Sequence, residues 1–200
     1  MTALSLRFAA LAAALLIAAQ PARAQSTPAI QPFLGVYAGQ TVFASDAGYS
    51  KRDMNVMIER EGQGFLLEWT TVTQKANGKD KTKTHTVAFQ PSGRPGIYQP
   101  VGKIDRFGNK VPLEPLKGDP QVWARIEGKT LSVYATVITE DGGVEMQTYD
   151  RTLVPGGMDL HFTRIRNGRP LKEIKARLEI QDPKTRLPYP ECLKLGECKE

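Results

Sequence analysis

The sequence predicts an all-β protein, an antiparallel up-and-down meander closed into a barrel of about 8–10 strands. After residue 32, apolar residues recur with a period of two rather than about 3.6. Turn residues recur about every 12–14 residues, and strands joined by such short turns are usually neighbours in the sheet. Closure would leave no strand edges exposed. A two-sheet sandwich is the alternative, although it usually needs longer crossings between the sheets.

The first 24 residues have the composition of a secretory signal peptide. A short segment carrying Arg7 is followed by the apolar run Phe8–Ala19 and by Ala22-Arg23-Ala24, a small-x-small cleavage site. The apolar run is shorter than the roughly 20 residues that span a bilayer. We therefore expect cleavage after Ala24, a mature chain beginning at Gln25, no stable membrane span, and a periplasmic or secreted protein.

The charge balance of the mature chain is only mildly basic. The formal net charge of +6 falls to +4 when Arg7 and Arg23 leave with the leader. The one dense basic run, Lys75–Lys83, contains an Asn-Gly turn and is typical of a solvated loop. We see no nucleic-acid motif and expect no nucleic-acid partner.

Two cysteines, Cys192 and Cys198, lie in the C-terminal tail, residues 183–200. Because an exported chain meets an oxidising compartment, we expect them to form a disulfide that closes a small loop. Such a bond would pin the tail rather than hold the fold together.

The barrel domain is predicted to span residues 33–182, after a disordered lead-in at residues 25–32. The strands predicted in its first half are Phe33–Ala44, Arg52–Arg60, Gly64–Gln74 and Thr82–Gln90. The third alternates most cleanly and places Phe65, Leu67, Trp69 and Thr71 on one side.

The segment Pro91–Gln121 interrupts this rhythm with many prolines and glycines. We predict a long irregular loop with one short strand near Ile97–Val101, and its role stays open.

The second half of the domain shows the clearest hairpins. Its predicted strands are Trp123–Glu127, Thr130–Glu140, Val144–Val154 and Met158–Arg166. Asn167-Gly168 is a strong hairpin turn signal. The last element, Pro170–Ile180, fits either a strand or a short helix.

The segment Phe33–Gly39 (FLGVYAG) resembles the opening of lipocalin-like (calycin) barrels, whose Gly-x-aromatic element plugs one end. Tyr37 stands where that family more often has Trp. The resemblance implies a basic residue packed on this aromatic ring, for which Arg164 or Arg166 could serve. It also implies a binding barrel for a small, largely apolar molecule.

The last hairpins supply a candidate binding site. If Gly156-Gly157 is a two-residue turn, Arg151 faces Phe162 and Tyr149 faces Arg164. If Asp141–Gly143 is a three-residue loop, an apolar floor shares their side: Leu131, Val133, Ala135 and Val137. Two arginines and a tyrosine could bind an anionic head group by charge-assisted hydrogen bonds. A slip of one residue would turn all three outward.

Tyr37 and Trp69 are the other candidate ligand contacts, although both could serve only as core residues. A barrel interior makes those two roles overlap.

The chain shows no recognisable catalytic or metal-binding motif. His85 and His161 lie on different predicted strands, and no nucleophile elbow, HExxH, P-loop or CxxC occurs. We therefore expect no metal, no cofactor and no enzymatic activity.

Three functions remain open at this point. The first is an exported binding module for a small amphipathic or anionic ligand. The second is a structural or protein-interaction component of the cell envelope with a filled barrel, whose protein partner is unknown. The third is an enzyme that uses an unrecognised Asp, Arg and Tyr set. An empty interior of a few hundred Å3 would favour the first and a packed interior the second.

Overall fold

The computed structural model describes residues 29–45, 48–74, 80–104 and 109–182. The predicted signal peptide, residues 1–24, lies outside the described residues. The predicted Cys192–Cys198 disulfide lies outside them as well.

Eleven strands make up most of the described chain. They are β1 (Gly35–Ser45), β2 (Gly48–Glu61), β3 (Gly64–Gln74), β4 (Asp80–Pro91), β5 (Ile97–Ile104), β6 (Lys110–Val111), β7 (Gln121–Glu127), β8 (Thr130–Ile138), β9 (Val144–Val154), β10 (Gly157–Arg166) and β11 (Arg169–Gln181). Short 3-10 turns occupy Gln31–Phe33 and Pro115–Lys117.

Ten of these strands form one closed antiparallel barrel. The order is β4-β3-β2-β1-β11-β10-β9-β8-β7-β5, and a further pairing between β4 and β5 closes the ring. Within the described residues, β6 pairs with β5 alone. The predicted all-β meander barrel is confirmed. No helix in the described part of the chain is long and apolar enough to cross a membrane.

The structure shows that the last predicted element is a strand and that the predicted irregular segment contains part of the barrel. Pro170–Ile180 lies within β11, where Ile174 and Leu178 are buried and Glu173 and Lys175 are exposed. Within Pro91–Gln121, the short strand predicted near Ile97–Val101 is confirmed; it extends to Ile104 as β5 and pairs with both β4 and β7. This segment therefore completes the barrel wall.

Both predicted hairpin registers are offset by two residues. Pro155-Gly156 is the turn between β9 and β10, so Arg151 pairs with Leu160 and Tyr149 with Phe162. The β8–β9 loop has five residues, because Ile138 pairs with Val144. An offset of two keeps every side chain on its predicted face, since strand side chains alternate with a period of two.

One end of the barrel is closed by the segment that precedes β1. Ile30 and Phe33 are buried, and the Tyr37 hydroxyl donates a hydrogen bond to the Phe33 carbonyl at 3.0 Å. The disordered lead-in was predicted over residues 25–32. Its first four residues lie outside the described residues, whereas Ile30 packs into the barrel and Gln31 and Pro32 belong to a 3-10 turn. Burial of the Ile30 side chain at 1% exposure explains this difference.

The hydrophobic core fills this closed end. Phe65 stacks on Phe89 with ring centroids 5.0 Å apart and contacts Tyr98 edge-on at 5.2 Å. Leu67 and Val133 are also buried in the same cluster. Toward the opposite, open end, the inward-facing positions become polar, which creates space for a site.

The seam between β1 and β11 depends on a glycine. A Cβ atom at Gly39 would lie 2.1 Å from the Arg177 carbonyl oxygen. Only glycine allows the two backbones to approach this closely.

Candidate functional site

A cavity of about 380 Å3 opens above the core. Inward-facing residues of β2, β3, β4, β9, β10 and β11 line it. Met54, Val56, Leu160 and Ile174 contribute apolar surface. Six lining residues are cationic: Arg52, Lys81, Lys83, Arg151, Arg164 and Lys172. Among the described residues that line the cavity, none is Asp or Glu.

Arg151 is the most deeply placed of these cations. Its side chain is 1% exposed and lies between Leu131 on β8 and Leu160 on β10, its direct cross-strand neighbours. Its Nε and Nη1 atoms have no hydrogen-bond partner within the described structure. Burial lowers the pKa of the guanidinium to about 10, so the group remains positively charged at neutral pH. A buried charge with unused donors is costly unless an anion binds to it.

Aromatic side chains from facing strands, Trp69 on β3 and Tyr149 on β9, meet across the cavity. The guanidinium carbon of Arg151 lies 5.6 Å from the ring centroids of both Trp69 and Tyr149. Tyr149 contacts Trp69 at 5.4 Å and Phe162 at 4.7 Å. Cation–π contacts of this kind hold the guanidinium in place but leave its N–H groups available.

Three further cations, which we call the upper cationic cluster, lie nearer the open end: Arg52, Arg164 and Lys172. The Phe43 ring joins two of them, with Arg52 Cζ 4.7 Å and Lys172 Nζ 4.0 Å from its centroid. Arg164 and Lys172 are direct cross-strand neighbours on β10 and β11. Burial, followed by the charges of Arg52 and Arg164, lowers the pKa of Lys172. The cluster therefore concentrates positive charge.

Glu145 supplies a negative charge to this cluster. Its Oε2 accepts a hydrogen bond from Arg164 Nη2 at 2.5 Å, and its Oε1 accepts one from Gln147 Nε2 at 2.7 Å. Gln147 in turn accepts a hydrogen bond from the Tyr149 hydroxyl at 2.8 Å. Burial acts to raise the pKa of Glu145, but the bonds from Arg164 and Gln147 outweigh it, and the pKa is lowered overall. One carboxylate facing three cations leaves a formal excess of positive charge.

His85 lies beside Lys83 at the rim of the cavity. Its ring stacks on Trp69 with centroids 5.0 Å apart. Partial burial, followed by the charge of Lys83, lowers the pKa of His85. The imidazole is therefore neutral at pH 7. His161, the other histidine, lies outside the cavity and contacts Glu173 at 2.9 Å.

The structure brings four of the five predicted ligand contacts to one cavity: Trp69, Tyr149, Arg151 and Arg164. Tyr37 lies instead in the plugged end, where it pairs with Val56 on β2. Neither arginine that could have packed on Tyr37 does so. Arg164 binds Glu145 and Arg166 binds Asp141, because both lie at the end of β10 away from the plug.

Sequence reasoning missed two residues of the upper cationic cluster, Arg52 and Lys172. A signal for both was present in the alternation. Arg52 shares its side of β2 with Met54 and Val56, and Lys172 shares its side of β11 with Ile174 and Leu178. A cation in phase with buried apolar residues indicates a charge that faces the interior.

No metal site is evident in the described part of the chain. Nowhere within residues 29–45, 48–74, 80–104 and 109–182 do three His, Cys, Asp or Glu side chains come together as a ligand set. The sequence matches no protein-family model and no curated protein.

Proposed function

We propose that this barrel is a binding module for a small amphipathic anion. One observation carries the proposal: six cationic side chains, and no carboxylate among the described residues, line a cavity of about 380 Å3 with apolar and aromatic walls. Ligand sites typically occupy about 300–1,000 Å3, with mostly apolar walls and a few polar groups that fix orientation. The apolar part of the ligand would contact the walls and its charge would meet the cations.

The position of Arg151 supports this proposal over a filled structural barrel. A barrel without a ligand would be more stable with an apolar side chain at this depth, because an unpaired buried charge opposes folding. An incoming anion would supply the missing acceptors for Nε and Nη1.

We further propose that the protein acts after export, in the periplasm or as a secreted protein, on the basis of its leader-like first 24 residues. N-terminal sequencing of the exported chain should begin at Gln25. The meander and the plugged end beside Tyr37 also support a lipocalin-like barrel. Lipocalins have eight strands, whereas this ring has ten. The resemblance therefore concerns the up-and-down order of the strands and not their number.

A fluorescence titration tests the binding proposal. The chain has two tryptophans, and the Trp123→Phe variant would leave Trp69, which faces the cavity, as the only reporter. We expect anilinonaphthalene sulfonate, an amphipathic anion, to change Trp69 emission in a saturable way, whereas the uncharged analogue phenylnaphthylamine should bind at least about tenfold more weakly. A tenfold preference corresponds to about 1.4 kcal/mol.

Two variants localise that binding. Arg151→Met should weaken binding of the anion about tenfold or more. Arg164→Ala should also weaken it but should lower the melting temperature, because it leaves the nearly buried Glu145 carboxylate without its arginine partner. Arg125→Met is the matched control, because Arg125 is an exposed residue paired with Glu127. Equal binding of the two dyes, unaltered by Arg151→Met, would overturn the proposal.

A further inference from the structure

The cavity presents two separate places for an anion. Arg151 on β9 is the cross-strand neighbour of Leu160 on β10, whereas the upper cationic cluster includes Arg164, also on β10. Four residues separate Leu160 from Arg164, which corresponds to about 13 Å between their backbone positions along the strand. The two places thus belong to different levels of the barrel wall.

The surface between the two places is aromatic. Tyr149 pairs with Phe162 at the level between Arg151 and Arg164, and Trp69 contacts Tyr149 from the facing wall. An extended apolar group would therefore find its contacts in the middle of the cavity, with positive charge above and below it.

Glu145 does not neutralise the upper place. The cluster contains three cations, and Glu145, at 6% side-chain exposure, engages Arg164 alone among them. Arg52 and Lys172 face the Phe43 ring, whose π-system attracts cations but carries no net charge. The upper place thus keeps the capacity to bind an anion of its own.

From this arrangement we propose that the ligand carries two anionic groups separated by an apolar body, one group at Arg151 and the other at the upper cationic cluster. The inference rests on the proposed binding function and narrows its ligand to a dianion. A simple fatty acid would leave the upper cluster unused and place its apolar end beside three cations.

Matched pairs of acids test the second anion site. Octanoate, decanoate and dodecanoate would be compared with octanedioate, decanedioate and dodecanedioate by displacement of anilinonaphthalene sulfonate. An apolar cavity normally disfavours an added carboxylate, which must be desolvated. We instead expect the dicarboxylate to bind at least about tenfold tighter than the monocarboxylate at the best chain length, a factor worth about 1.4 kcal/mol.

Substitutions then assign the gain to the cluster. Lys172→Gln and Arg52→Gln should each reduce about tenfold the ratio of the monocarboxylate dissociation constant to that of the dicarboxylate of the same chain length. Arg164 is not used for this purpose, because its removal would expose the Glu145 carboxylate to the ligand. Lys175→Gln is the matched control, since Lys175 is an exposed residue of the same strand.

The outcomes separate the inference from the proposed function. If monocarboxylates bind in an Arg151-dependent way and dicarboxylates bind no tighter at any length, the second anion site is refuted and the binding function stands. If neither acid series nor the anionic dye binds, both are refuted. A dicarboxylate gain that Lys172→Gln and Arg52→Gln leave intact would also overturn the assignment to the cluster.

Discussion

Replacing Arg151 by methionine should make the ligand-free protein more stable. The two side chains have similar length, and methionine adapts well to irregular apolar surroundings such as those of Leu131 and Leu160. The substitution removes a buried charge together with two donors that have no partner within the described structure. Stability and binding should therefore change in opposite directions at this one position.

The magnitude follows from the contacts of the guanidinium. Two buried donors without partners cost about 2–6 kcal/mol together. The cation–π contacts with Trp69 and Tyr149 return about 0.5–2 kcal/mol each. At the centres of these ranges, the cost of the two donors exceeds the gain from the two cation–π contacts, so the arginine destabilises the folded protein by about 1.5 kcal/mol. Burial that lowers the pKa of Arg151 to about 10 disfavours its charged form by about 3 kcal/mol. We expect Arg151→Met to stabilise the protein by about 1.5–3 kcal/mol.

Thermal unfolding without ligand measures this change. A domain of this size gains about 2–4 °C in Tm per kcal/mol, so Arg151→Met should raise Tm by roughly 3–12 °C. Arg125→Met, at an exposed ion pair, should change the free energy of unfolding by less than about 1 kcal/mol. Saturating anilinonaphthalene sulfonate should raise the Tm of the unaltered protein more than that of Arg151→Met. A loss of stability of about 2 kcal/mol or more in Arg151→Met would mean that the arginine is satisfied in the folded state, and the reasoning would be wrong.

Three further predictions concern the pH response and the barrel seam. Partial burial, and then the charge of Lys83, lower the pKa of His85. An NMR titration should therefore give a His85 pKa below 6.5 that rises in Lys83→Gln, and a pKa at or above 6.5 would contradict this. Because the His85 pKa is lowered in the folded state, the protein loses stability as the pH falls through that pKa. Burial acts to raise the pKa of Glu145, but its hydrogen bonds lower that pKa overall. The ionised carboxylate therefore adds to the free energy of unfolding above about pH 4.5, and this stabilisation is lost on further acidification. Urea unfolding of Glu145→Gln should show a smaller acid-induced loss than the unaltered protein, and an equal loss would exclude this role. Gly39→Ala, whose Cβ would lie 2.1 Å from a β11 carbonyl oxygen, should destabilise the protein by at least about 2 kcal/mol. Gly93→Ala is the control and should not, because a Cβ there meets open space. Similar Tm values for the two variants would show that the β1–β11 seam can move apart.

Most of the fold follows from local alternation in the sequence. The segments Gly64–Gln74 and Val144–Val154 were predicted with the bounds that β3 and β9 have. The β9–β10 turn was misplaced by one residue, which offsets the pairing by two, because Pro155-Gly156-Gly157 offers two adjacent pairs that could each form the turn. A period of two tolerates this error.

The strand that closes the barrel could not be predicted with the same ease. β5 contains Pro100, and a proline within a run usually argues against a strand because it lacks an N–H donor. The pairing of β4 with β5 shifts here: Ala88 pairs with Gly102 and Phe89 with Pro100, so Val101 of β5 is an extra residue in the ladder. Pro100 and Gly102, whose φ is 129°, are local signs of such a bulge, but they do not indicate which strand is its partner.

Apart from Trp69, which was predicted from the alternation of β3, the site was predicted only where it is local. Tyr149, Arg151 and Arg164 belong to one hairpin, so pairing and parity could place them together. Arg52 and Lys172 come from nearly opposite ends of the barrel domain and meet because β1 pairs with both β2 and β11. That proximity depends on closure of the ring, which no single hairpin specifies.

The distribution of charge between the two faces of the wall argues that the cavity serves binding. Outside, exposed cations lie beside acids, as in Lys175 with Glu173 at 2.9 Å and Arg177 with Asp159 at 3.0 Å. Inside, Arg151 has no acid within hydrogen-bonding reach of Nε or Nη1 in the described structure. The barrel itself requires only that inward positions be apolar or paired. Arg151 is thus left without a hydrogen-bonded acid where water would not screen its charge, as a cavity requires if the counter-charge arrives with the ligand.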